Sequence, residues 1–351
     1  MNLVFVGTYT KDNKSEGIYA FRMDPATGAW TKLAQTLPRL NNPSFLAVDR
    51  ARHRLFAANE VSEGQVAALR FDPESGALTL LNQQSSVGKD PCHVSVAKSG
   101  RFLLVANYSS GTFSLLPIAA DGSLRPPTDT VQDQGTGPNK GRQEGPHAHS
   151  INFDPSGKLA YGCDLGIDKI RIFRPDTKTG KLVPSAPSFV SVHPGAGPRH
   201  FAFHPRKHFA YAINELDCTL TAFAFNPTSG VLTELQTITT LPRPYQSTDS
   251  CADIHLSPDG RFLYGSNRGH DSIAIFAVDA TTGKLSVVGH ESTQGKTPRN
   301  FALDPTGTFL YAANQSSDSI VAFRIDKKTG KLSATGQKIE VPSPVCIAFA
   351  G

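Results

Sequence analysis

The sequence has no Cys-x-x-Cys pair, no long apolar run, no block of basic residues and almost no helical periodicity. Its five cysteines (Cys92, Cys163, Cys218, Cys251, Cys346) are widely spaced. An odd count without a framework excludes a disulfide scaffold and favours free thiols in a reducing compartment. No apolar stretch is long enough to span a membrane. The run Leu3-Val-Phe-Val6 is very short, with no basic segment before it and no cleavage site after it, so it reads as a strand and not as a signal peptide. The chain has 35 basic and 30 acidic residues in 351, a formal charge of +5. That mild excess suits an anionic small molecule and lacks the basic cluster that nucleic acid requires. Heptads and helix pairs need long runs free of glycine and proline, and there are none. No Gly-x-Ser-x-Gly turn is present, so no acyl-enzyme is expected. The expectation is a cytoplasmic protein with no nucleic-acid or membrane partner, a monomer or weak homodimer.

What is present is a repeat. With 39% hydrophobic and 19% charged residues the chain can bury a large core. A turn of the type Asp24-Pro-Ala-Thr-Gly28 recurs seven times in variant form, closing at Gly28, Gly76, Gly122, Gly180, Gly230, Gly283 and Gly330. Asp or Asn opens such a turn and Gly closes it at positive φ. A second turn, as in Asp154-Pro-Ser-Gly157, Ser257-Pro-Asp-Gly260 and Asp304-Pro-Thr-Gly307, marks the front of most repeats. Alternating runs flank both turns, so each unit reads strand, turn, strand, loop, strand, turn, strand. Four antiparallel strands at this period are a propeller blade. The fold expected is all-β: one domain, residues 1–351, a seven-bladed propeller of four-stranded antiparallel blades. The first blade lacks its inner strand. Pro344-Val-Cys-Ile-Ala-Phe-Ala350 matches the inner-strand pattern of Pro298-Arg-Asn-Phe-Ala302, so the C-terminal strand should close the ring on the N-terminal blade and remove two open edges.

With strands lettered A to D from the axis outward, residues before A and after B share one face and crowd towards the axis. Before A stand His93, His147, His149, Arg199, His200, His255 and Arg299. After B stand Asn59-Glu60, Asn107-Tyr108, Asp164, Asn214-Glu215, Asn267-Arg268 and Asn314-Gln315. Convergent polar groups around an axial pocket are the default site. Each has a bland alternative. The repeated Asn can tie the B–C turn to backbone, His93 and His255 can be hydrogen-bonded channel residues, and Glu215 can simply pair with Arg199. His147 and His149 alternate, so on an extended segment they point the same way, but no third ligand stands at metal-like spacing and no metal is assigned. The loop 135–146 sits in the longest interval of the repeat, between Gly122 and Gly180, and is placed over the mouth.

The segments Arg142-Gln-x-x-Pro-His147-Ala-His149, Gly197-Pro-Arg199-His200, Tyr211-x-x-Asn214-Glu215, Ser266-Asn267-Arg268 and Pro298-Arg299-Asn-Phe resemble the seven-bladed propeller lactonase family. That family includes the bacterial 6-phosphogluconolactonase group and is related to the fungal 3-carboxy-cis,cis-muconate lactonizing enzyme. The resemblance runs through the whole chain, from Val6-Gly-Thr-Tyr9 to the closing strand. It implies hydrolysis of 6-phospho-D-glucono-1,5-lactone, a step of the pentose phosphate pathway, without a cofactor. It assigns His149, Arg199 and Glu215 as the catalytic trio. His147, Arg142, Arg268, Arg299 and Asn214 become candidate substrate-binding groups, with Lys140 a further candidate for the phosphate. A muconate-type lactonizing enzyme or a lactonase for another sugar stays open on these residues, and so does a non-catalytic propeller used as an interaction platform.

Overall fold

Alternating apolar and polar residues broken by frequent turns can bury their apolar side only as short paired strands. A computed structural model describes residues 2–11, 14–34, 38–246 and 248–351. The strands form seven four-stranded antiparallel sheets around an axis. The inner strands are Pro344–Phe349 in blade 1, then Pro43–Asp49, Pro91–Val96, Ala148–Phe153, Pro198–Phe203, Ser250–Leu256 and Pro298–Leu303 in blades 2 to 7. Asn2–Thr8 is the second strand of blade 1 and pairs antiparallel with Pro344–Phe349, with Val6 opposite Ile347. The two ends of the chain thus complete one sheet, as the sequence pattern required.

Burial follows radial position. The second strand Phe102–Asn107 is buried throughout, because both of its faces meet neighbouring blades. The outer strand Leu332–Glu340 alternates, with one face to solvent. Each apolar cluster bridges two adjacent blades. One of them joins Tyr161 and Ile172 of blade 4 to Phe201 and Phe223 of blade 5, and another joins blade 7 to blade 1 through Tyr311 and Phe21.

The repeated turn also fastens the blades together. In the turn Asp279–Gly283 the Asp279 carboxylate accepts the N–H groups of Thr281 and Thr282 at 2.9 and 2.8 Å. Gly283 sits at φ 71°, and a side chain there would run into the Phe209 ring of the preceding blade. Its carbonyl accepts a hydrogen bond from the Tyr211 hydroxyl at 2.9 Å. The same bond recurs from Tyr161 to Gly230, Tyr264 to Gly330 and, across the ring closure, Tyr311 to Gly28.

Every inner strand is irregular near its start. The pairing register slips by one residue at Val345, Ser44, Cys92, His149, Arg199 and Arg299, and across Ala252-Asp253 in blade 6. A bulged residue leaves the ladder and its side chain is re-aimed. Val345, Ser44, Cys92, His149, Arg199 and Arg299 accordingly line one narrow pocket on the axis.

Candidate active site

The bulge accounts for the placement of the two histidines. The inner strand of blade 4 begins at Ala148, so His147 lies before it and His149 is the unpaired residue. Strict alternation, which would aim both rings the same way, is broken. His147 stacks on Tyr108 with ring centroids 4.6 Å apart. Its Nδ1 lies 3.2 Å from the Tyr108 carbonyl and its Nε2 lies 3.0 Å from Glu144. Both nitrogens are thus engaged at the rim. Among the described residues no group of three or more His, Cys, Asp or Glu side chains converges to hold a metal ion.

Glu215 is the centre of the mouth. It follows the second strand of blade 5, and its carboxylate meets Arg142 at 2.6 Å, Arg199 at 2.8 Å and Arg268 at 3.0 Å, with His149 Nε2 at 4.0 Å. Burial pushes this carboxyl up, but the guanidiniums of Arg268, Arg199 and Arg142 outweigh it and hold it well below the usual carboxylate range. Arg199 is fully buried, and its pKa is pulled down to about 10 by burial, then by Arg268 and Arg299. It remains cationic at neutral pH. The His149 imidazole is held well below its ordinary value by burial, and then by Arg199, His200, Arg299 and Arg268. It is therefore neutral at physiological pH and can accept a proton.

The remaining candidates separate. Arg142 reaches from loop 135–146 to Glu215 and to the Tyr108 hydroxyl, with 43% of its side chain still exposed. The loop is anchored beneath it by buried Gln143, which donates to the Leu165 carbonyl at 2.9 Å and to Asp168 at 2.8 Å. Lys140 is exposed. Arg268 donates through Nη2 to the Cys251 carbonyl, while its buried Nε has no partner among the described residues. Arg299 lies over the Tyr9 ring at 5.5 Å and makes no side-chain hydrogen bond among the described residues. Asn214, expected from sequence to meet substrate, does not reach the mouth. It is fully buried and its Nδ2 donates to Thr219 and Thr221. The Asn residues after the other second strands are equally buried. Asn107, Asn267 and Asn314, for example, donate to the Ser86, Thr240 and Thr293 carbonyls. This is the structural role that the repeat itself suggested.

Sequence reasoning set Glu60, Cys92, His200 and Asp253 on this face but gave none of them, nor Tyr9, a role in the site. Glu60 accepts the Tyr9 hydroxyl at 2.9 Å and lines the same pocket as Arg299. A signal for it was present: Asn59-Glu60 repeats Asn214-Glu215 three blades away. Cys92 is the bulge residue next to His149, with its thiol 3.2 Å from the His149 carbonyl. Burial pushes that thiol far up, so it is a filler and not a nucleophile. Deeper in the channel His200 Nδ1 lies 2.7 Å from Asp253, and His255 Nε2 lies 3.1 Å from the other carboxylate oxygen. Burial raises the Asp253 carboxyl, but its bonds to His255 and His200 hold it well below the ordinary range.

The axis holds a space towards each end, of only about 10 Å³ among His149, Arg199 and Arg299 at the mouth. The roomier end, about 460 Å³, lies at the far face, where the inner strands finish at Val48, Val96, Ala202 and Phe349. At the other end four guanidiniums (Arg142, Arg199, Arg268, Arg299) and two carboxylates (Glu60, Glu215) converge. They leave two positive charges in excess beside a neutral imidazole, which fits an anion carrying a hydrolysable carbonyl.

Comparison with known proteins gives the same direction. A family model described as a lactonase, 7-bladed beta-propeller, matches residues 3–349. The chain is 41% identical over 346 residues to a 6-phosphogluconolactonase of Bacillus subtilis, covering 98% of this chain and 97% of the relative. It is 37% identical over 308 residues to a 6-phosphogluconolactonase of Formosa agariphila, covering 86% of each. The solved structure of a periplasmic gluconolactonase of Pseudomonas aeruginosa superposes with a TM-score of 0.92 at 36% identity, covering 99% of this chain and 98% of that one.

Proposed function

The chain belongs to the seven-bladed β-propeller lactonase family, and on that premise we propose that it hydrolyses 6-phospho-D-glucono-1,5-lactone to 6-phosphogluconate. The observation that carries the substrate is the excess of two positive charges at the mouth, which matches a phosphate dianion. Arg268 and Arg299 are the groups assigned to that phosphate. Among the described residues Arg268 has a buried Nε donor without a partner, and the Arg299 side chain makes no hydrogen bond.

The chemistry follows from the trio. His149 takes a proton from a water molecule as the oxygen attacks the ring carbonyl. The tetrahedral oxyanion forms against Arg199, a donor worth about 3–4 kcal/mol when well placed. The ring C–O bond then breaks, and the imidazolium returns the proton to the departing C5 oxygen. The new carboxylic acid ionises to bulk water, so one proton is released per turnover. Glu215 does not act on the lactone. It balances three arginines that would otherwise repel one another in a buried mouth. Those arginines also weaken His149 as a base. A bound dianion neutralises them and moves the imidazole towards the pKa at which it works best.

The related gluconolactonase supports a second reading, an unphosphorylated sugar lactone. The two are separated by following proton release from both lactones at constant pH, with wild type and Arg268→Ala. The phosphate reading expects far higher kcat/KM on the phosphorylated substrate and a loss in the variant confined to it. Equal use of both lactones, or equal losses, would contradict that reading. A muconate-type cyclisation would show as lactone formed from carboxymuconate. An interaction platform needs a broad apolar face. The exposed large hydrophobics of the described residues (Leu80, Val87, Val183, Phe189, Tyr245, Val287) are instead spread over three blades and two connections. The five free buried thiols support a cytoplasmic setting, and the proposed product supports a role in the pentose phosphate pathway.

A further inference from the structure

Arg199 is held by more than its ion pair. Nε donates to Glu215 Oε2 at 2.8 Å, and Nη1 donates to the Ala252 carbonyl and lies 3.4 Å from His200 Nε2. Nη2 is the one guanidinium nitrogen with no partner among the described residues. On its other side His200 is tied through Nδ1 to Asp253 Oδ1 at 2.7 Å. Asp253 is 3% exposed, and every contact around it fixes the carboxylate. Oδ1 also accepts the Ile254 N–H at 2.9 Å. Oδ2 accepts from Asn300 Nδ2 and the Phe301 N–H and lies 3.1 Å from His255 Nε2. Asn300 is itself held by the Ile347 N–H at 2.8 Å, and the Asp253 N–H is bonded to Ser266.

This column has a chemical direction. A carboxylate at Nδ1 requires that nitrogen to carry the proton, so Nε2 of His200 has a lone pair. That lone pair faces an N–H of Arg199. A channel that only needed filling would be filled with apolar side chains, since a buried carboxylate carries a desolvation cost. Here the carboxylate sits one imidazole away from the group assigned to the oxyanion. We propose that Asp253 and His200 are positioning residues of the hydrolysis: Asp253 fixes the His200 tautomer, His200 fixes Nη1 of Arg199, and Nη2 is thereby presented to the reacting carbonyl. The inference rests on the reading of Arg199 as the oxyanion donor.

A double-mutant cycle tests it. Asp253→Asn should lower kcat roughly thirtyfold, with KM changed by less than about threefold, since the lost order acts in the transition state. In an Arg199→Lys background, which lacks the fork, the same change should cost less than about threefold. Losses that multiply in the double variant would show that Asp253 only supports the fold, and would overturn the proposal. A second readout does not need turnover. With ¹⁵N-labelled arginine, the Nη signals absent in Arg199→Lys identify this guanidinium. They should be separately resolved in the wild type and merge in Asp253→Asn as rotation is freed. Unchanged signals would overturn the proposal. A wild type without lactone turnover would sink the parent reading, while the Nη signals would still decide whether Asp253 positions Arg199. If Asp253→Asn does not fold, His200→Asn takes its place with the same expected outcomes, because it removes the Nε2 acceptor and leaves the carboxylate.

Discussion

The electrostatics of a single imidazole set the pH behaviour of the site. His149 is buried among cationic groups, and its pKa lies well below the ordinary value of about 6.5. The neutral form is the base, so a depressed pKa keeps the enzyme active to lower pH. The acid limb of kcat/KM, which reports the free enzyme, should therefore fall well below pH 6.5. The acid limb of kcat, which reports the complex, should lie higher, because the bound dianion screens the arginines. Initial rates from pH 4.5 to 8, corrected for spontaneous hydrolysis, check both. A kcat/KM limb centred near 6.5 would contradict the assignment. At this scale the sequence was informative for a physical reason. Charged residues such as Arg199 and Glu215 rarely stand beside apolar inner strands unless they face one another. It gave Asp253 no role, because an aspartate inside a strand pattern shows its value only when His255 of its own strand and His200 and Asn300 of neighbouring blades surround it.

The bulge is what turns a structural strand into part of a site. In six blades the displaced residue points into the same pocket, and in three of them it is His149, Arg199 or Arg299. Strand order and turn positions were legible in the sequence, since Asp279–Gly283 and its equivalents announce themselves. The slip was not legible, because one extra residue leaves the apolar and polar pattern around it almost unchanged. That is why His147 and His149 read as partners and prove to be separate. The tyrosine bonds offer a test of how the blades are joined. Each of Tyr161→Phe, Tyr211→Phe, Tyr264→Phe and Tyr311→Phe should cost about 1 kcal/mol of stability, because a buried carbonyl loses its donor. Tyr161 and Tyr264 stand in blades that are not neighbours in the ring and share no hydrogen-bond partner, so their losses should add in denaturant titrations. A Tyr211→Phe variant as stable as wild type would show that the Gly283 carbonyl does not need that bond.

For the molecule as a whole, the channel loads the fold with buried histidines whose protonation opposes folding. Burial is the first cause that lowers His93, His149 and His200, the last to about 4. In the unfolded chain each takes up a proton below about pH 6.5 while the folded one stays neutral. Their neutral burial is therefore free of penalty above 6.5, and stability falls as pH drops from there towards their folded values. His200 alone accounts for about 2 kcal/mol at pH 5. His255 has the opposite sign. Burial lowers it but Asp253 raises it more, so its pair stabilises below the unfolded value and fades as pH rises through the folded one. Three channel histidines against one, with His204 and His270 also lowered by burial and buried Asp164 raised in the opposite sense, predict a lower melting temperature at pH 5 than at pH 7. An equal or higher one would show that the column charges in the folded state. Ring closure was legible in the sequence for a simple reason: a propeller with an unpaired edge is incomplete, and Pro344–Phe349 is the one segment that matched the missing inner strand.

The most direct test of the account is the turnover of His149→Ala on 6-phosphogluconolactone, followed by proton release beside the wild type at matched melting temperature. Removing a positioned base should lower kcat by roughly 10²–10⁴-fold, with the propeller intact. A folded variant within a few-fold of wild type would place the base elsewhere and contradict the reading of the axial mouth.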